Sequence, residues 1–256
     1  MVACVDRASD VGLASASKDD KLTASEALPV GAQARSFTGR VLFPPQLAEE
    51  IREIYEANLI VALANLETSP EDADALIWAG RRHGYLAHYR TAIDLFTSGG
   101  EVYPGDARFK RHRGHRYISV RELDRAIEDL QQASELVRGQ PDQVEPDGLP
   151  NARGIPTSTL QFNIWYHLGL AHYLKGDFEL ARAAYIELMA ISTNNDAVVA
   201  ASYWLYMTLM RLGRDQEAGD VLTPINSELD IIENGAYRDL LLLFKGERTP
   251  GDLLVP

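Results

Sequence analysis

Residues 165–185 read WYHLGLAHYLKGDFELARAAY, and this stretch decides the fold. Its Gly169, Phe178, Ala181 and Tyr185 have counterparts at the same mutual spacing in Gly114, Leu123, Ala126 and Leu130. Those in turn stand 34 residues after Gly80, Tyr89, Ala92 and Phe96. After a small slip the pattern returns once more at Asp215, Ala218 and Leu222. Self-similarity of this period signals stacked helical hairpins, each too small to bury its own apolar face. Gly and Ala stand where two helices cross closely, because a side chain there would hold the backbones apart. Trp165, Leu168, Phe178 and Tyr185 fill the space between hairpins.

Working outward, a long helix is predicted from about Pro45 to Glu67, with Leu47, Ile51, Ile54, Tyr55, Leu59, Leu63 and Leu66 at helical spacing. Pro70 lies 34 residues before Pro104, so this helix reads as the second half of a degenerate opening repeat. The 256 residues, 46% of them hydrophobic, can bury a sizeable core as one elongated array. The longest apolar run, around 57–66, is broken by Asn58 and Asn65, and nothing reaches the roughly 18 residues of a membrane span. A net charge of −12 argues against a general nucleic-acid binder, which the phosphate backbone would repel. One Cys permits no internal disulfide.

Trp165, Leu168, Gly169, Gly176, Phe178, Ala181 and Tyr185 together resemble the tetratricopeptide repeat family, as found in bacteria, and the likeness extends over roughly residues 70–232. It implies an all-α fold: a right-handed α-solenoid of tetratricopeptide-like hairpins. The expected organisation is a disordered tether at 1–42 and a solenoid at 43–245, with repeats near 73–106, 107–140, 162–195 and 199–232. An insertion at 141–159 breaks the period, a capping helix occupies 233–244, and 246–256 form a tail. The insertion carries Pro141, Pro146, Pro150 and Pro156, and either folds over the groove or is a tolerated surface loop. Of Thr157, Ser158 and Thr159, the reading is an N-cap for the helix of Trp165 rather than a nucleophile. In the fourth repeat Asp215 departs from the usual aromatic.

Against the acidic background, 108–121 holds Arg108, Lys110, Arg111, Arg113, Arg116 and Arg121 with His112 and His115, and no carboxylate. Arg108, Arg111, His112 and His115 share one helix face. The resemblance implies that the first helix of each hairpin lines a concave groove. Residues projected inward are Asp74, Ile77, Trp78, Arg81 and Tyr85, then Arg108, Arg111, His112 and His115. Asn163, Tyr166, His167 and Tyr173 follow from the third repeat, and Tyr203, Trp204 and Met207 from the fourth. The Lys and Asn pattern by which one subset of the family grips chaperone tails is not met, since Ile77, Arg81, His112, Asn163 and His167 stand there.

The functional expectation is a non-enzymatic scaffold that binds a protein or peptide, acidic in character, through an Arg/His/Tyr/Trp-lined groove for an anionic or aromatic ligand. Its residues are Trp78, Arg81, Tyr85, Arg108, Arg111, His112, His115, Asn163, Tyr166, His167, Tyr203 and Trp204, with no cofactor and no catalytic group assigned. The alternative is an enzyme or metal-binding protein with a His112/His115/His167 site in the groove, supplemented by Asp147. Balancing ion pairs from Asp74, Asp124, Glu128 and Asp129 would reduce the basic stripe to packing. Val2-Ala3-Cys4 resembles the end of a lipobox, which places the chain in the cell envelope as a lipoprotein. If that match is incidental, the cytoplasm is the expected compartment.

Overall fold

The computed structural model describes residues 27–254. Helix α1 (Glu49–Thr68) leads into four helix pairs: α2 (Ala73–Tyr85) with α3 (Tyr89–Val102), α4 (Ala107–Ser119) with α5 (Leu123–Leu136), α6 (Leu160–Lys175) with α7 (Phe178–Ile191), and α8 (Asn195–Arg211) with α9 (Asp215–Leu222). Helix α10 (Gly235–Lys245) and the single-turn α11 (Pro250–Leu253) follow. Short connections fold each pair back on itself, and α2, α4, α6 and α8 also touch in series, giving an inner layer.

The starts of the inner helices are written in sequence. Asp72, Asp106, Thr159 and Asn194 each accept a backbone N–H of the first turn, at α2, α4, α6 and α8 respectively. The outer helices α3, α5, α7 and α9 have no such side-chain cap. Each cap contributes about 1 kcal/mol and places the helix start after the inter-repeat turn.

Helix crossings use the small residues of the echo. A Cβ on Gly114 would stand 2.7 Å from Leu130 Cγ, and a Cβ on Gly80 or Gly169 would collide with the ring of Phe96 or Tyr185. The bulky residue thus lies directly over the glycine of its own hairpin, and Phe96, Leu130 and Tyr185 are almost wholly buried. This device positions the inner faces of α2, α4 and α6 relative to one another.

At the N-terminal side the structure differs from the expected tether. Val2-Ala3-Cys4 and most of that segment lie outside the described residues, but the end of it is ordered. Strands β1 (Ala34–Arg35) and β2 (Val41–Leu42) pair antiparallel, and buried Ala34 packs with Ile93 and Leu123. Arg90 donates from Nε to the Gln33 carbonyl (2.9 Å), and Gln33 Oε1 accepts from the Arg90 amide (3.2 Å). Strands of two residues are too short to show alternation, so no periodic signal exists for them. Helix α1 begins at Glu49, later than Pro45, because the prolines and the hairpin keep the preceding backbone extended.

At the other end α10 packs on α8 and α9, with Leu241 and Leu242 buried against Val199, Leu222 and Ile225. The buried Asp196 carboxylate accepts the backbone N–H groups of Ile232 (2.9 Å), Glu233 (2.7 Å) and Asn234 (2.8 Å), which fixes the approach to α10. No helix among the described residues is long and apolar enough to cross a membrane.

Candidate functional site

Helix α4 carries its basic residues in two directions. Arg113 forms a two-pronged pair with the buried Asp129 (2.7 Å for both contacts), a full neutralisation. Arg108 lines the groove as expected, but it is bound there by Asp106 (2.6 Å) and by Asp74 (2.5 Å), one of the expected balancing carboxylates, which hold its guanidinium well above the ordinary range. Asp106 is the helix cap and Asp74 sits one repeat earlier, so the pairing is a by-product of the repeat itself.

Arg111, His112, His115 and Arg116 continue the face of Arg108 along the helix. With Arg81, Tyr85 and Phe96 they line a cavity of about 110 Å³. A second cavity of about 230 Å³ shares Arg81, His112 and Glu145 with it and reaches Trp78 and Asp74. Arg81 lies over the Trp78 ring at 4.3 Å, and Arg82 at 4.9 Å, so the indole is held by two cations.

The insertion forms the roof. Its two ends are pinned together, Glu145 N–H to Ser158 O (3.1 Å) and Leu160 N–H to Gln143 O (2.8 Å). Between them the chain runs along the inner layer: Arg81 donates to Pro146 O (2.7 Å), Arg82 donates to Gly148 O (2.8 Å), and Gly148 presses so closely on Tyr85 that a Cβ there would overlap the phenol. Farther along, Arg153 pairs with Asp230 (2.7 Å) and Asn151 donates to Glu233 (2.9 Å). The strap therefore spans the array from α2 to the approach of α10.

Glu145, carried by this strap, is the one carboxylate lining the smaller cavity. It pairs with Arg111 (2.8 Å) and accepts from Asn163 Nδ2 (3.3 Å). Arg111 is only 6% exposed, and its Nε has no hydrogen-bond partner. Burial lowers its pKa, and Glu145 opposes that shift. Arg116 is half-buried; it reaches Gly84 O (3.5 Å) and the His115 ring nitrogens (2.8 Å), and forms no ion pair among the described residues. Desolvation, followed by repulsion from Arg111, brings its guanidinium down to about 10, so it remains charged at neutral pH.

The three histidines do not make a metal site. His115 and His167 lie ring against ring with centroids 4.0 Å apart, His112 Nδ1 meets Arg111 (2.9 Å), and His167 Nδ1 meets the Asn163 carbonyl (2.6 Å). Among the described residues no group of three His, Cys, Asp or Glu side chains is placed to hold a metal ion. The electrostatics agree: burial first, then the neighbouring guanidiniums, lowers all three pKa values, His167 to about 3. A site so cationic repels a second cation. Asp147, the expected fourth ligand, sits in the field of Glu233 and Arg81 instead, its pKa raised chiefly by burial.

The other expected residues lie at the far end of the inner layer. Trp204 Nε1 donates to Tyr166 OH (2.9 Å), Tyr166 OH meets Tyr237 OH (3.0 Å), and Tyr203 stacks on Tyr237 (4.6 Å). Tyr237 belongs to α10, so these aromatics are engaged by the capping helix. The expected set is thereby split: Trp78, Arg81, Tyr85, Arg108, Arg111, His112 and His115 surround open space, Asn163 and His167 brace its wall, and Tyr166, Tyr203 and Trp204 form a packed cluster that meets this wall where Tyr166 stands edge-on to His167 (5.2 Å).

Besides the packing residue Phe96, two charged residues join the site that sequence reasoning did not project into it. Arg116 continues the face of Arg108 and His112 at the next helical turn, a signal that was available. Glu145 sits in a segment with no periodicity, and nothing local marked it.

No protein-family model matches the sequence, and no curated protein matches it. Solved structures do share its fold. A thermophilic tetratricopeptide-repeat protein of Thermus thermophilus superposes with a TM-score of 0.55 at 16% identity, over 75% of this chain and 92% of that one. A crystal structure of MamA gives 0.51 at 14% identity, over 80% and 100%. The APC/C hetero-tetramer Cut9–Hcn1 gives 0.52 at 15% identity, over 78% of this chain and 35% of that one. The chain has the tetratricopeptide-repeat solenoid fold.

Proposed function

We propose that the protein is a non-enzymatic binding module that captures an acidic protein or peptide at the α2–α4 end of its inner layer, with the strap as one wall of the site. The observation that carries this reading is the imbalance of charge there: three guanidiniums, from Arg81, Arg111 and Arg116, face the single carboxylate of Glu145 in a protein of net charge −12. Exposed ion pairs add only about 0–1 kcal/mol each, so stability is a poor reason to gather three guanidiniums of which Arg111 alone has a carboxylate partner in the cavity. Trp78, half-exposed beside Arg81, adds the aromatic contact area typical of binding hot spots. The likeness to Cut9–Hcn1, a hetero-tetramer, is compatible with a role in assembling chains.

Binding of an array of Asp/Glu-rich peptides, followed by fluorescence anisotropy at low and high salt, tests the reading. Arg81→Ala and Trp78→Ala are each expected to weaken capture by about tenfold, with affinity falling as salt rises. Equal binding of neutral peptides, or undiminished binding by both variants, contradicts it.

A further inference from the structure

Resting on that reading, the shape and charge of the smaller cavity narrow the chemistry of the group it takes. We infer that the cavity lined by Arg81, Arg111 and Arg116 is a pocket for a tetrahedral oxyanion of phosphate type, either the free ion or a phosphoryl group on a peptide side chain.

Size suits a small group at the cationic end. The volume of about 110 Å³ corresponds to three or four waters at roughly 30 Å³ each, enough for a phosphoryl group, while the adjoining cavity of about 230 Å³ leaves room for what carries it. Charge selects among small anions. With the histidines neutral, three guanidiniums against one carboxylate leave two positive charges uncompensated, matching the roughly −1.5 to −2 of a phosphate at neutral pH. A carboxylate would leave one cation unmatched. Donor supply points the same way: Arg111 Nε is buried without a partner, Arg116 forms no ion pair among the described residues, and the Tyr85 hydroxyl stands 3.5 Å from Arg81. Three forks of planar N–H donors suit the several oxygens of a phosphoryl group. Glu145, reaching Arg111 from the strap, stands where it would compete with such a group.

The full chain is titrated with inorganic phosphate, with a phosphoserine peptide, and with acetate and chloride at matched ionic strength, by calorimetry and by thermal melting. Phosphate or the phosphopeptide is expected to bind and raise Tm beyond the effect of acetate or chloride; saturation by inorganic phosphate assigns the free ion, and a response to the phosphopeptide alone assigns the side-chain group. Arg116→Gln is expected to lower the affinity by at least about tenfold while leaving the Tm in chloride unchanged or higher, an outcome that a structural role of Arg116 would reverse. Glu145→Gln, a second variant on the same cavity, is expected to give a larger phosphate-dependent rise in Tm than the native chain. Equal responses to acetate and phosphate overturn the phosphoryl assignment and leave anion capture standing. No response to any of these anions, in the native chain or in Glu145→Gln, overturns both.

Discussion

The two ends of the inner layer are built from the same repeat and reach opposite electrostatic outcomes. At the α6–α8 end, Tyr166, Trp204 and Tyr237 exchange hydrogen bonds and Tyr203 stacks on Tyr237, so polar tips and ring faces find partners within the fold. At the α2–α4 end, Arg111 and Arg116 are held among aromatic and histidine rings with one carboxylate between them, and a cavity remains. A capping helix closes the first; a strap that turns one carboxylate, Glu145, into the cavity covers the second. The contrast lies in charge rather than in unpaired atoms, since the buried Tyr185 hydroxyl beside Trp204 also lacks a partner, whereas three guanidiniums facing one lining carboxylate occur at the α2–α4 end.

The largest expected effect comes from breaking the one pair at the charged end. Glu145→Ala leaves Arg111 buried and uncompensated, and should lower unfolding stability by about 3–5 kcal/mol in chemical denaturation at neutral pH. Replacing Arg111 and Glu145 together by Leu should recover most of that loss, and an equal loss in the double variant would mean that packing, not charge, is at stake.

Acid separates the two ends next. His112, His115 and His167 have pKa values depressed in the folded chain, by burial and then by the guanidiniums, so between their unfolded value of about 6.5 and the folded value of about 3 for His167 only the unfolded chain binds the proton. Stability is therefore full above about pH 6.5 and falls as the pH drops through that interval, each histidine contributing up to about 1.4 kcal/mol per pH unit. Urea melts between about pH 7 and pH 5, where carboxylates titrate little, should show the slope in the native chain and a shallower one in His167→Gln. A native slope of zero would contradict the buried, neutral state of these rings.

The smallest effect belongs to the aromatic end. Tyr166→Phe removes the acceptor of Trp204 Nε1 and the partner of Tyr237 OH, and should cost about 1–3 kcal/mol in the same assay without altering anion binding. Loss of anion binding in this variant would mean that the two ends act as one site.

Much of the fold was legible because the repeat states it redundantly. Gly80, Gly114 and Gly169 each predict a close crossing, and each has a bulky residue from its own hairpin above it. Residues 34–42 were illegible because two-residue strands carry no period, and their docking depends on Arg90 and Ile93 from a distant helix. At the site, the helical periodicity of 108–115 brought Arg111, His112 and His115 to one face, and extending it by one turn reaches Arg116. The neutralisation of Arg108 was half legible: Asp74, one repeat earlier, stood among the balancing carboxylates, whereas Asp106 read only as part of the inter-repeat turn. Glu145 could not be read at all: its place follows from where the ends of the insertion are pinned, a tertiary fact without a local signature. Tyr166 and Trp204 were recognised as inward, but the helix that occupies them starts only at Gly235, well past the end of α8 at Arg211.

The central claim is that Arg111 and Arg116 hold donors in reserve for an oxyanion while Arg108 and Arg113 do not. Side-chain Nε–H resonances of the arginines, followed by NMR as inorganic phosphate is added at constant ionic strength, test it most directly. The account predicts that Arg111 and Arg116 shift together and saturate while Arg108 and Arg113 stay fixed on their carboxylates. Uniform small drifts of all four, or movement of Arg108 and Arg113 alone, would contradict it.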